Sequence, residues 1–487
     1  MDDQQAREQR KLSWFSKLII FGVIFIVVIG GPLLYLNESA ESQWQAYMDE
    51  LRAKGEPMTI SDLEQLRPPI PDNENAAVFL MDLGPKVDAS VGYEALAKDP
   101  DPKRHVFVFG RKGNTADFFE GLPRYAIEES RSFLETRREL LTELAKLRGY
   151  SRWRFNTDYQ SDPLLLLDNN PAHVRAAGKL VHLDCILSTS EGRFHDASES
   201  ILLQFHLADG MTREPTIIAR LVQIAMEALA LRSLEGLLSA GEVDTETLDG
   251  FMTHLDTHVR LGSLRLGLQG ERVHFVNMCT FGYRVTFTGP LPEDEPFIPY
   301  PNLTKMLNVP GLGFLAYLNL STGARMLTAL IDAADDPKRL LDEGKRMEQE
   351  LDQLGKSRFL VKTLLPSLSR ACLLNARIHA ELDCARCGVA AERFRLKTGR
   401  MPESLSELVP EFLEAVPIDP FDGQPLRFKT SEEGIVIYTI DDNEVDDGGS
   451  VTIVGKAKQP LDRGFRLNRP EHRGLKILDI PPPTEEE

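Results

Sequence analysis

His254-Leu255-Asp256-Thr257-His258 places two imidazoles one helical turn apart, a spacing with which a helix can offer a pair of metal ligands. A metalloprotease helix carries glutamate directly after the first histidine, as the general base, and leucine stands there instead. His274 is the nearest later histidine, and no third ligand follows from the sequence. The same spacing suits two histidines on the polar face of an amphipathic helix, so both readings stay open. Cys384-Ala385-Arg386-Cys387 is a C-x-x-C pair. Such a pair works as a redox couple when it opens a helix after a strand, where the helix N-terminus lowers a thiol pKa. Here helical sequence lies on both sides, and no second pair completes a zinc site, so two buried thiols are expected. The five cysteines, with Cys185, Cys279 and Cys372, are too few and too scattered for a disulfide framework. No G-x-S-x-G elbow, Walker A loop or G-x-G-x-x-G fingerprint occurs.

Residues 18–36 run without a charge through Ile19, Phe21, Val23, Ile26 and Val28 to Leu36. That is about 20 residues, the length a helix needs to cross roughly 30 Å of hydrocarbon. Arg7, Arg10, Lys11 and Lys17 precede the run, and Glu38, Glu41, Asp49 and Glu50 follow it. Basic flanks stay in the cytoplasm, so residues 1–17 are expected inside and the bulk of the chain outside, in the periplasm. Trp14 and Tyr35 sit near the two interfaces. A cleaved signal peptide would want a small-x-small site, and Ala40 with Glu38 two positions earlier is a poor one. The expectation is a single-pass membrane protein held in the lipid bilayer by residues 18–36.

After the anchor, residues 37–125 read as a mixed, mostly helical linker region. Glu41 to Ala53 forms a helix, Ser61 caps a short one, and Asn73 to Leu83 makes another. Val106 to Phe109 is a β-like stretch. Residues 126–284 form a helical-hairpin domain, with helices over Val174–Leu187, Phe194–Ala208, Pro215–Leu238 and from Thr245 onward. Asp184 interrupts the apolar stripe of the first of these. The connectors at Gly192 and Gly241 are short, so successive helices should be antiparallel neighbours. The hairpin period, roughly 50 residues, is too long for tetratricopeptide repeats, which leaves an irregular solenoid or bundle. Residues 285–312 are a Pro-rich loop, and helices resume over 313–375.

The ending is the most recognisable part. A helix runs through Ala390-Ala391-Glu392-Arg393-Phe394 to a C-capping Gly399. A short helical turn follows between Pro402 and Pro410, then Asp419-Pro420-Phe421-Asp422-Gly423-Gln424-Pro425. Two strand-like runs come next, Leu426–Lys429 and Gly434–Ile440, and then the acidic loop from Asp441 to Gly449. This order resembles the globular end of the major pseudopilins of type II secretion. The resemblance implies a helix packed on a small antiparallel sheet over residues 376–470, and a calcium-binding loop. Asp441, Asp442, Asp446 and Asp447 fall in that loop, and oxygen-rich ligand sets suit Ca²⁺. The loop departs from the EF-hand template at Val445, Asp446 and Thr452. The pseudopilin cleavage site is absent from residues 12–36, so a filament subunit is not expected. Residues 471–487 read as a disordered tail. The whole chain resembles single-pass bacterial membrane proteins that carry this same ending.

A hydrophobic share of 42% is ample for packed cores, and the net charge of -18 repels phosphate backbones. Nucleic acid is therefore not an expected partner. The expected fold is mainly α, with a transmembrane helix, a solenoid-like helical domain and a small α+β module. The expected role is a membrane-anchored extracytoplasmic scaffold with protein partners, related to the envelope or to secretion. The alternative is a membrane-anchored hydrolase with its site under the 285–312 loop, metal-dependent through His254 and His258.

Overall fold

The computed structural model describes residues 30–91, 121–157, 169–261, 264–281, 313–451 and 461–479, with Tyr159 and a few positions between 17 and 28. Within them the chain is mainly helical, with a small sheet region near the C-terminal end. The expected strand at Val106–Phe109 and the 285–312 loop lie outside the described residues, as does most of the 18–36 run. No membrane-spanning helix is shown at 18–36. Among the described residues one helix, Gly313–Ala333, is long and apolar enough to cross a membrane, and 56% of its most apolar window is buried inside the protein.

The chain divides into two compact units. The smaller comprises Met1–Glu64, Gln269–Ala329 and Met347–Pro366. Its first helix, α1 (Gly31–Ala53), reaches at least ten residues upstream of the expected start at Glu41. Pro32 is tolerated there because the first helical turn needs no backbone donor. Trp44, Tyr47, Met48 and Leu51 recur at three and four and are buried as one stripe. The next helix, α2 (Ile60–Gln65), is capped by Thr59, not by Ser61, which lies inside it. The Thr59 hydroxyl accepts from the Asp62 amide at 3.2 Å, and Asp62 accepts from the Thr59 amide at 2.9 Å. This is a reciprocal capping box shifted two residues upstream of the expected cap.

The larger unit comprises Gln65–Leu268, Leu330–Arg346 and Ser367–Glu487. Its helices are α3 (Ala76–Val91), α4 (Arg124–Glu135), α5 (Arg138–Ala145), α6 (Asn169–Ser190), α7 (Phe194–Asp209), α8 (Ile217–Ala240) and α9 (Thr245–Leu261). The pairs Asp184–Ser200 and Cys185–Ala197 run in opposite senses, so α6 and α7 are antiparallel. His182–Ser233 and Gly178–Met226 run in the same sense, so α6 and α8 are parallel. The interruption at Asp184 has a local reason: its carboxylate accepts a 2.9 Å hydrogen bond from Ser200 on α7.

Helix α10 (Arg265–Phe281) and α11 (Gly313–Ala333) contribute to both units by sequence, as do α12 (Pro337–Gln353) and the 33-residue α14 (Pro366–Thr398). The short α13 (Phe359–Leu364) belongs to the smaller unit. Helix α14 ends as expected at Gly399, whose φ of 77° is the left-handed cap that glycine adopts without strain. Three antiparallel strands in the order β2–β3–β4 pack on it: β2 (Arg427–Thr430), β3 (Gly434–Thr439) and β4 (Arg463–Asn468). Phe465 of β4 meets the helix at Gly388, where an added Cβ would stand 2.3 Å from the ring. Leu234, Leu237, Phe251, Leu255, Val389, Ile437, Phe465 and Leu467 share one core, so sheet and helices are packed as one body. The segment 471–487 is described as far as Asp479, and β5 (Ile477–Leu478) pairs in parallel with β1 (Leu122–Pro123).

His274 of α10 is buried, and burial pulls its pKa from 6.5 to about 4. Between these values the unfolded chain binds more protons than the folded one. Its contribution to stability is therefore full above pH 6.5 and declines as pH falls toward 4. His274→Leu is expected to remove roughly 2 kcal/mol of the stability lost between pH 7 and pH 5. Urea denaturation of both proteins at the two pH values checks this.

Candidate functional site

The two histidines of the sequence pair sit in the larger unit on α9. His258 is 1% exposed and His254 half-buried. One turn from its end, α7 presents His206 and then Asp209, three residues apart and so on one face. Packing of α7 on α9 brings Asp209 against both histidines. His258 Nε2 lies 3.4 Å from Asp209 Oδ1, and His206 Nδ1 lies 3.6 Å from Asp209 Oδ2. Phe205 forms the apolar wall, stacked at 5.9 Å with His254 and 5.2 Å from His258. Ligand atoms of Asp209, His254 and His258 all lie within 4.8 Å of one another. Among the described residues this is the group that gathers metal-ligating atoms so closely.

A fully buried carboxylate stands behind it. Glu227 of α8 accepts from His258 Nδ1 at 2.9 Å, from Gln223 at 3.0 Å and from Arg220 at 3.3 Å. Arg220 also bonds Asn375 Oδ1 through two nitrogens at 3.1 Å. Burial alone would raise the Glu227 pKa, but Arg220 and then His258 outweigh it and bring it down to about 2. Burial opposes a charge on His258, yet the hydrogen bond and charge of Glu227 prevail and raise its pKa. His254 has no such partner, and burial pushes its pKa down.

Asp209 also lines a cavity of about 460 Å³. Arg67, Arg148, Arg152, Arg154 and Arg213 surround it, with Tyr150, Trp153 and His206. Arg67 is buried and fixed by Glu214 at 2.7 Å and the Phe155 carbonyl at 2.7 Å, with Tyr159 closing on Glu214. Arg154 bonds the Arg67 carbonyl at 3.0 Å. Arg148 and Arg152 pair outward with Glu199 and Glu74, and Arg213 is exposed. Trp153 is held between His206 and Phe155, and its buried indole N–H has no hydrogen-bond partner in the protein.

The other sequence candidates lie elsewhere. Cys384 and Cys387 are free and buried within α14, and burial pushes both thiols up, away from redox reactivity. His274 is in α10 and is not part of the cluster. In the acidic loop, Asp441 is taken by Arg377 at 2.6 Å and Arg463 at 2.8 Å, and Asp442 by Arg377 at 2.5 Å. Asp446 accepts from Tyr438 at 3.1 Å and from the Gly448 amide at 2.9 Å, and Asp447 accepts from Asn443 at 3.0 Å. Asp441 and Asp442 thus share Arg377, while Asp446 and Asp447 turn to other partners. The sequence reading missed Asp209 and Glu227. The spacing His206-x-x-Asp209 at a helix end was the available signal for the first. Glu227 gave none, because nothing local marks a glutamate that will be buried.

The chain matches no family model, no curated protein and no solved structure.

Proposed function

We propose that this chain is a membrane-tethered, extracytoplasmic interaction protein that captures an acidic segment of a partner protein in its arginine-lined cavity. The observation that carries this reading is the set of five arginines around one cavity in a chain of net charge -18. Guanidinium groups pair with carboxylates in a two-pronged geometry, and five of them border this cavity against one carboxylate, Asp209. Arg67 is buried and already paired with Glu214, so it shapes the floor of the cavity, while the exposed Arg213 is the guanidinium open to a ligand. Trp153 itself lines the same wall.

The tether rests on the uncharged 18–36 run and its basic flank. Ile19, Ile20, Phe21, Ile24 and Val28 are all more than half exposed, a surface that hydrocarbon would cover. The helical hairpins of α6, α7 and α8 support the solenoid-like reading. The helix α14 on its antiparallel sheet is the arrangement the pseudopilin resemblance implies, and it supports a role near envelope or secretion machinery.

The test uses the full chain in detergent, titrated with a hexaglutamate peptide and with inorganic phosphate, while Trp153 fluorescence is followed. The expected result is saturable binding of the peptide that weakens at least tenfold when Arg152 and Arg213 are both reversed to glutamate. Trp153→Phe should remove the signal. Equal binding by the charge-reversed protein overturns the reading, and tighter binding of phosphate than of peptide replaces the acidic segment with a phosphate ligand.

A further inference from the structure

We propose that Asp209, His254 and His258 bind one divalent transition-metal ion of the zinc class, with a free coordination position toward the arginine-lined cavity. This is independent of the tether and of peptide capture.

The spacing is the first reason. With metal–nitrogen and metal–oxygen bonds of about 2.0–2.1 Å, two ligands of a tetrahedral ion stand about 3.3 Å apart. His258 Nε2 and Asp209 Oδ1 are 3.4 Å apart, and the third ligand atom completes a set within 4.8 Å. That is too long for a good hydrogen bond, and His258 Nε2 has no hydrogen-bond partner although His258 is 1% exposed. A buried imidazole nitrogen aimed at a carboxylate oxygen across this gap is what an ion between them would satisfy.

The second reason is the support behind the ligand. The Nδ1 atom of His258 is bound to Glu227 at 2.9 Å, which places the ring proton on that side and turns the Nε2 lone pair to the gap. A carboxylate bound to the far nitrogen of a ligating histidine fixes the tautomer, orients the ring and raises its basicity. Gln223 and Arg220 hold Glu227 in turn, and the Phe205 ring lies against both imidazoles.

The donor set selects the ion. Two imidazoles and one carboxylate suit zinc, cobalt, nickel or iron(II), whereas calcium and magnesium prefer oxygen alone. Three protein ligands leave a fourth position. Asp209 is the ligand that also lines the cavity, so that position is reached by water or by a carboxylate oxygen entering between the arginines.

The test uses the full chain in detergent, freed of metal with a chelator and then titrated with Co²⁺ and with Zn²⁺. The expected result is one equivalent of bound metal, a visible Co²⁺ absorption band of four-coordinate type, and loss of that band when Zn²⁺ is added. His254→Ala and Asp209→Asn should abolish the band. Glu227→Gln should weaken Zn²⁺ binding by about 10–100-fold. His195→Ala, an exposed histidine on α7, should leave it unchanged. Circular dichroism confirms that each variant compared is folded. Absence of the band and of saturable Zn²⁺ binding in the folded wild-type chain overturns the proposal. So does a band that survives intact in folded Asp209→Asn.

Discussion

Glu227→Ala is expected to destabilise the larger unit by about 3–5 kcal/mol, the usual cost of removing one member of a buried charge pair. The carboxylate is wholly inaccessible and neutralises Arg220, which is 4% exposed, while holding His258, which is 1% exposed. Alanine leaves the Arg220 guanidinium and the His258 Nδ1 donor without their buried acceptor. Asn375 stays on Arg220 but supplies only a neutral acceptor. Glu227→Gln keeps shape and one acceptor, so its loss should be smaller. Urea denaturation checks this through the transition midpoint at constant slope. A loss under about 1 kcal/mol in the alanine variant would mean that Glu227 is not the group holding this cluster together.

The second large effect belongs to the smaller unit. Arg272 is 0% exposed. It bonds Glu56 at 2.6 Å, the Thr328 hydroxyl at 3.0 Å and the Pro57 carbonyl at 3.3 Å. Tyr47 of α1 donates to the same Thr328 oxygen at 2.8 Å, so α1, α10 and α11 meet at this one guanidinium. Removing the Glu56 carboxylate leaves that charge buried and unpaired. Glu56→Ala is therefore expected to cost about 3–5 kcal/mol, and Arg272→Met in the Glu56→Ala background to restore much of it. Thermal unfolding of the two variants measures both. Failure of methionine to recover stability would place the cost in the shape of the site and not in its charge.

Much of the helical plan was legible because it depends on local pattern. Apolar residues at three and four marked α7 and α8 to within two residues, and Gly399 announced its cap. The starts of helices were less legible. Thr59 and Ser61 are both capping residues, and only the partnership of Thr59 with Asp62 decides between them. Strand β4 is hard to see in the sequence because Arg463 precedes and Arg466 separates its two inward residues, Phe465 and Leu467, in a short run. Those arginines are held by Glu381, Asp441 and Glu235 from distant parts of the chain. The site was half legible for the same reason. An i, i+4 histidine pair is a local feature. Asp209 comes from a different helix, and the arginines of the cavity come from three separate stretches of sequence, at 67, 148–154 and 213. The calcium expectation for the acidic loop came from the resemblance, and the partners that Arg377, Arg463 and Arg427 give its carboxylates come from distant sequence.

The two proposed properties meet at Asp209, which borders the cavity on one side and the histidines on the other. A carboxylate drawn in by the arginines would arrive where a metal has its free position. This places recognition and coordination in one pocket without requiring that the chain be an enzyme.

The most direct measurement is where an acidic ligand lands. Benzoylphenylalanine placed at Thr257, which lines the cavity, or at Glu433, on the β2–β3 turn, can be photolysed in the full chain with hexaglutamate present. Cross-linking at Thr257 that saturates with peptide and falls with salt, with little at Glu433, is the predicted result. Equal yield at both positions, or none at Thr257, contradicts it.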